Sequence, residues 1–300
     1  MKWIELITCF ECNCRCLVCS SYGQGNVRMS LVEMRTWLER GRDEGAVGVW
    51  FGGGEPSLHP GLIPAIESAR ELGYRHIRIQ TNGMRFAYEP YAKRCVAAGL
   101  NQVALSIMGR DAAGHDGITR TPGSYKHLLA GLDNLVSAGV TVEADVLITS
   151  RSMGGLQDIV ELLAPRGVAI FSFWLFSLHG INDPDLRELL PRMSELVPKL
   201  ERAFAAADGL GVKASSFHTP PCVLTENFLD RYVHSGTWDL LVVPPGAEPF
   251  MAERSPMEGG AYLNGCANCR LRPDCLGPRA DYLSTFGPGE FKPIPLHMDE

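Results

Sequence analysis

No run of lysine or arginine occurs anywhere in the 300 residues, and the formal net charge is −6. A nucleic-acid or anionic-membrane surface needs clustered positive charge, so neither partner is expected. Long apolar stretches are also missing. The longest, VAIFSFWLFSL at 168–178, falls far short of the ~20 residues that span a bilayer. Its aromatic and β-branched content fits a buried strand. The start, MKWIELITCF, has neither the apolar h-region nor the small-residue cleavage site of a secretory signal. A cytoplasmic location is therefore expected, and there the ten cysteines suit metal thiolates better than disulfides.

What is present is a core-forming composition, 45% hydrophobic and 21% charged, enough for one large domain or a large one with a smaller one behind it. ELIT, VGVWFGG, HIRIQTNG, QVALSIMG, VTVEADVLITS and VAIFSFWLF read as strands with helical patterns between them. Repeats of ~30 residues imply right-handed crossovers and a parallel sheet. Six such units are too few for a closed eight-unit barrel of ~250 residues, so the expected fold is α/β, a partial (β/α)6 barrel. A longer helix is expected from Asp185 to Asp208, kinked or broken by Pro191 and Pro198. Beyond Gly209 prolines and glycines dominate and periodicity fades. The expected division is 1–208 for the barrel with its linking helix and 209–300 for a small domain stapled by metal.

Five cysteines crowd residues 9–19, CFECNCRCLVC. Two ligand sets can be drawn. Cys9, Cys12, Cys16 and Cys19 form two C-x2-C knuckles that close a tetrahedral zinc. Cys12, Cys16 and Cys19 alone leave one iron of a [4Fe–4S] cluster open to an outside ligand.

The rest of the chain bears on this choice. C-x3-C-x2-C after a first strand is followed in order by FGGGEP (51–56), IQTNG (79–83), LSIMG (105–109) and HDGITRTPGSYKHLLAGLDNLVSAGVTVEADVLIT (115–149). Over about residues 3 to 180 this resembles the radical S-adenosylmethionine (radical SAM) family. The resemblance implies that Cys12, Cys16 and Cys19 hold a [4Fe–4S] cluster whose open iron chelates the methionine end of S-adenosylmethionine. Reductive cleavage of that cofactor would give a 5′-deoxyadenosyl radical that takes a substrate hydrogen, with an electron donor such as flavodoxin or ferredoxin. It also implies that Gly53, Gly54 and Glu55 of the GGE motif meet the cofactor. The glycines would allow close backbone approach and Glu55 would accept from the ammonium group. Strand alternation turns Gln80, Asn82, Gln102, Ser106, Glu143, Asp145, Leu147 and Thr149 inward. Of these, Asn82, Ser106 and Asp145, with Arg120 beyond the strand, resemble polar cofactor contacts. One departure is Val18, where the family usually has an aromatic residue near the adenine.

Near the end, GCANCRLRPDC supplies Cys266, Cys269 and Cys275. A zinc knuckle completed by Cys222 or His218 is one reading. The spacing also resembles the auxiliary-cluster domains of radical SAM enzymes, the SPASM and shorter twitch types. A full SPASM pattern would continue with a cysteine where Arg279 stands, so the single-cluster type fits, with Cys222, Cys266, Cys269 and Cys275 holding an auxiliary [4Fe–4S] cluster. Such a cluster can take a second electron, making the net reaction an oxidation: dehydrogenation or bond formation on a small metabolite or a peptide. No catalytic residue is singled out; His179, His218, Glu143 and Asp145 are the candidate bases. Because the first strand starts at about residue 3, a leader-binding domain for a peptide substrate is expected on a separate protein. The molybdopterin-synthesis cyclase is disfavoured by its longer second cysteine spacing and its glycine terminus, against HMDE here. A redox-neutral epimerase or mutase would need a thiol such as Cys95, which sits among apolar helix residues as a core cysteine does. A non-catalytic metal scaffold would leave Glu55 in its GGE context unexplained.

Overall fold

A computed structural model of the protein describes residues 2–19, 25, 27–179, 183–255, 257–258 and 260–295. The terminal HMDE lies outside them. Strand β1 (Lys2–Cys9) leads through the cysteine loop to helix α1 (Leu31–Asp43). Ser30 caps α1: its hydroxyl accepts from the Glu33 amide at 3.1 Å, and Glu33 reaches back to the Ser30 amide at 2.6 Å. This capping box satisfies two otherwise unpaired amides, an arrangement contributing about 1 kcal/mol.

The units continue as β2 (Gly48–Gly53), α2 (Leu62–Glu71), β3 (His76–Thr81), α3 (Glu89–Ala98) and β4 (Gln102–Ile107). Two helices, α4 (Ala112–Thr119) and α5 (Ser124–Ser137), then precede β5 (Thr141–Ile148), α6 (Leu156–Leu163) and β6 (Val168–Leu175). All six expected strands are present and pair in parallel. The outward face of β5 carries Val142, Ala144, Val146 and Ile148, each fully buried under the helices. Alternation therefore leaves Glu143 and Asp145 on the inner face, as strand geometry requires.

The long helix expected from Asp185 is interrupted. A 3-10 turn covers Pro184–Leu189, Pro191 separates it from α7 (Met193–Gly209), and Pro198 is accommodated inside α7. Leu196, Leu200 and Phe204 of α7 are buried, and Phe204 meets Phe173 of β6 edge-on at 5.9 Å.

Past residue 208 the chain does not leave the sheet. β7 (Lys213–Phe217) extends it beyond β6, and β8 (Tyr232–Val233) pairs with β7. β9 (Asp239–Val243) then joins the opposite edge, parallel to β1, and β10 (Phe250–Met251) pairs with β9. The result is one ten-stranded sheet in the order β10-β9-β1-β2-β3-β4-β5-β6-β7-β8. It curls without closing, and residues 234–238 carry the chain from one free edge to the other. The boundary expected at 208/209 thus does not separate two sheets. These four short strands escaped sequence reading because two-residue and five-residue strands among prolines carry almost no periodicity.

The C-terminal segment, with helix α8 (Ala280–Phe286), docks through Arg279. This guanidinium is 4% exposed and donates to the Leu175 carbonyl at 2.9 Å and the Phe176 carbonyl at 2.5 Å, just past β6. Its charge is paired with Asp281 at 2.9 Å, which also accepts from the Leu178 amide at 2.8 Å. Among the described residues no helix is long and apolar enough to cross a membrane.

Candidate active site

The cysteine loop leaves β1 at the C-terminal end of the barrel, where α/β sites are built. It is pinned along its length by backbone bonds. The Arg15 and Leu17 amides donate to the Thr119 and Ile118 carbonyls at 3.0 and 2.9 Å, tying it to the end of α4. Cys12 is exposed, Cys16 and Cys19 are half-buried, and the Cys19 amide meets the Cys16 carbonyl at 3.4 Å. Cys9 is fully buried, its thiol 3.8 Å from the Glu11 carbonyl and 3.7 Å from that of Glu55. Cys14 is also buried and lies against Met84 Sδ at 3.6 Å, with its thiol interacting with Cys12 and Cys16. Packing of Cys12 against Cys14, together with burial, pushes the Cys12 thiol far up. Cys12, Cys16 and Cys19 thus offer three thiols from one pinned loop, a donor set that fits an iron–sulfur cluster.

The GGE motif serves this loop more than the reading of its glycines suggested. The Gly54 and Glu55 amides donate to the Cys9 and Glu11 carbonyls, both at 2.7 Å. A Cβ on Gly53 would collide with the Cys9 carbonyl, and one on Gly54 with the backbone of Phe10 and Glu11. Gly53 also has φ 117°, a backbone conformation that other residues rarely adopt. The close approach these glycines permit includes one to the chain's own loop. Glu55 is 1% exposed, and its carboxylate accepts from the Ser57 amide at 3.0 Å, Thr81 Oγ1 at 2.6 Å and the Asn82 amide at 2.8 Å. Burial raises its pKa against these three hydrogen bonds. In this geometry Glu55 braces the ends of β2 and β3, and most of its acceptor capacity is already used.

Asn82, held by that brace, donates to Asn13 Oδ1 at 2.7 Å and faces the thiols of Cys14 at 3.6 Å and Cys12 at 3.9 Å. Arg120 ends α4 in the left-handed region at φ 52° and is exposed, next to the Thr119 carbonyl that anchors Arg15. Gly53, Gln80, Ser106 and Asp145 line a chamber of about 580 Å³ inside the barrel. Asp145 is 4% exposed and accepts from Gln80 Nε2 at 2.9 Å and Trp174 Nε1 at 3.3 Å. Arg78 lies beneath, bonded to Glu143 at 2.5 Å and 3.8 Å from Asp145.

Residues not singled out from sequence complete the chamber: Glu5, Trp50, Trp174, Trp238, Met257 and Glu258. Period-two alternation points to Glu5 from Ile7 and to Trp174 from Ser172, so those two were findable. Trp238, Met257 and Glu258 come from the aperiodic C-terminal segment and were not. Glu258 accepts from or shares a proton with His218 Nε2 at 3.0 Å, the other ring nitrogen and Glu258 Oε2 being buried without a protein partner. His218 itself holds φ 65°, a strained conformation for this residue. Burial would raise Glu258, but the His218 bond and charge leave it below the ordinary range. Of the four candidate bases His218 reaches the chamber wall through its bond to Glu258, whereas His179 is exposed and Glu143 and Asp145 are engaged with Arg78.

Glu5 and Asp145 are both pushed up to about 7, each chiefly by burial; Arg78 opposes this in both, and the Glu143 charge adds to it for Asp145. An acid whose folded pKa is raised contributes stability that is full below its unfolded pKa, near 4, and is lost as pH rises through 7. The melting temperature should therefore fall between about pH 4 and 7, and the double variant Glu5→Gln, Asp145→Asn should flatten that fall. An unchanged slope in the double variant would contradict the assignment.

In the C-terminal segment Cys222, Cys266, Cys269 and Cys275 line one small hollow with Pro220, Tyr262 and Phe291. Burial raises the Cys222 thiol, and the charges of the other three raise it further, up to about 12. Cys222, not His218, is the residue brought to the other three. Among the described residues no three His, Cys, Asp or Glu side chains converge closely enough to hold a single metal ion. Cys95 is fully buried within α3, away from both hollows.

Comparison with known proteins follows the same outline. The radical SAM superfamily profile matches residues 6–164. A probable GTP 3′,8-cyclase of Methanopyrus kandleri is 29% identical over 207 residues, 67% of this chain and 66% of the cyclase. An AdoMet-dependent heme synthase of Nitratidesulfovibrio vulgaris is 26% identical over 57% of this chain and 47% of the synthase. The chain thus matches about half to two thirds of the length of these relatives. In fold, SuiB of Streptococcus suis bound to S-adenosylmethionine superposes with a TM-score of 0.69 at 12% identity, covering 98% of this chain and 76% of SuiB. The enzyme anSMEcpe, with bound AdoMet and a peptide, gives 0.68 at 13% identity, covering 98% and 93%.

Proposed function

Because the chain belongs to the radical SAM superfamily, we propose that it is an oxidoreductase or maturase that oxidatively modifies a small metabolite or peptide, by dehydrogenation or bond formation. A [4Fe–4S] cluster with S-adenosylmethionine would, when bound, supply the radical chemistry that takes a hydrogen atom from an unactivated C–H bond. In this reading Cys12, Cys16 and Cys19 hold that cluster. Gly53 and Gly54 with Glu55 shape the loop beside it, and Asn82, Ser106, Arg120 and Asp145 offer polar contacts to the cofactor. The chamber walls exclude water and hold the substrate between Asp145 and the His218–Glu258 pair.

The observation that carries the oxidative reading is the convergence of Cys222, Cys266, Cys269 and Cys275 on one hollow. Four thiols around a space, not converging on one point, suit a second [4Fe–4S] cluster better than a zinc ion. A second cluster gives the second electron of an oxidation somewhere to go. Residues 209–300 then act as a twitch-like auxiliary domain, although their first strands belong to the barrel sheet. An external donor such as flavodoxin or ferredoxin and a cytoplasmic setting go with this reading. A redox-neutral epimerase or mutase is less well supported, since Cys95 is sealed in the core.

Anaerobic reconstitution should yield about eight irons per chain and reductant-dependent 5′-deoxyadenosine. Bound zinc without deoxyadenosine would overturn the proposal.

A further inference from the structure

Four of the five tryptophans, Trp3, Trp50, Trp174 and Trp238, line a second hollow of about 380 Å³ within the barrel. It lies towards the N-terminal ends of β1 and β5, where Trp3 and Glu143 stand. Its volume is in the range of ligand pockets, ~300–1,000 Å³. The walls are ordered by aromatic packing. Trp174 stacks on Phe217 with centroids 3.9 Å apart and planes 4° apart. Trp238 is tilted against both, 5.1 Å from Phe217 and 5.9 Å from Trp174. The Arg78 guanidinium sits 4.5 Å from the Trp50 ring centre. Indoles this large would ordinarily close on one another in a core; here they frame a space.

Two buried donors in this wall lack acceptors. Trp50, 9% exposed, has no partner for Nε1, and Arg78 has none for Nε, although its other nitrogens are engaged with Glu143 and Asp145. A buried N–H with no acceptor is costly and normally signals a missing partner. The hollow also shares Trp50, Trp174, Trp238 and Leu240 with the larger chamber, so the two spaces lie against the same side chains.

We infer that this lower hollow receives a flat aromatic or heteroaromatic group of the substrate, carrying a carbonyl or ring-nitrogen acceptor that pairs with Trp50 Nε1 and Arg78 Nε. A flat ring matches the indole faces, and an acceptor on its edge satisfies both donors. A saturated ring of the same polarity would meet the faces poorly. The inference rests on the proposed function only in naming the ligand as the substrate; the site itself stands without the radical chemistry.

Two probes separate the possibilities, benzamide and cyclohexanecarboxamide, which share an amide but differ in ring flatness. Binding is followed by calorimetry in the reconstituted chain. Benzamide should saturate with Kd on the order of 1 mM, a scale usual for so small a molecule. Cyclohexanecarboxamide should bind about fivefold more weakly or worse. Trp50→Phe, which keeps a ring and deletes the donor, should weaken benzamide about fivefold, and Trp174→Leu should weaken it further. Equal binding of the two probes to the wild-type chain would overturn the inference without any variant being needed. So would wild-type affinity in a folded Trp50→Phe chain, or no saturation by about 20 mM. The deoxyadenosine assay reports separately: binding without cofactor cleavage removes the proposed function and leaves the aromatic site.

Discussion

Cys16→Ser is expected to lose the cofactor-binding cluster and S-adenosylmethionine cleavage together, whereas Cys9→Ser keeps both. Cys16 lies in the loop segment fixed to α4 by the Arg15 and Leu17 amides, so its backbone position survives the substitution. What changes is the donor: a serine hydroxyl is a poor replacement for a thiolate on iron. Iron should fall from about eight to about four per chain, and deoxyadenosine formation should drop on the order of 100-fold or more. Cys9 is different in kind. Its thiol is fully buried and directed at the Glu11 and Glu55 carbonyls, away from the other thiols of the loop. Loss of the cluster in Cys9→Ser, at unchanged melting temperature, would mean that the three-ligand assignment is wrong.

The second large effect is expected from Cys269→Ser. Iron should again fall to about four per chain, but deoxyadenosine formation should persist, because Cys12, Cys16 and Cys19 are untouched. Thermal stability should fall markedly as well. The segment around the hollow consists of short turns, Asn264–Asn268 and Arg272–Asp274, with little apolar core of its own, so a metal group would act as its staple. Cys222→Ser should reproduce the loss in milder form if three ligands retain a cluster. Wild-type protein carrying about four irons and one zinc, with zinc lost in Cys269→Ser, would replace the electron-acceptor role with a structural one.

The six strands of the barrel were legible because each is a run of apolar residues bounded by glycine or a helix, and β5 even declared its two faces through VTVEADVLIT. The inward positions followed from alternation, which is why Gln80, Ser106 and Asp145 were found before the chamber was seen. What sequence reading missed depends on tertiary packing. Glu55 was expected to meet the cofactor ammonium; what the sequence did not show is that Ser57, Thr81 and Asn82 also donate to its carboxylate. Nothing local to GGGEP announces those partners. The Glu258 and Trp238 walls were invisible for another reason: they are set by where residues 234–238 cross between the sheet edges and by the turns after β10, and those paths carry no period.

Arg279 stands where a longer cysteine pattern would have placed another sulfur, and it instead grips the carbonyls beyond β6. At the opposite edge β9 is bonded to β1. The last ninety-odd residues are therefore fastened at both rims of the barrel and are not a transplantable module. Cutting the chain after α7 would strip β1 of its neighbour and leave its edge open to pairing with other chains. Grafting this segment onto another barrel would require matching two docking lines at once. Exchanging the segment as a unit would thus unpair β1 and β6 together, whereas point substitutions within it leave both pairings in place.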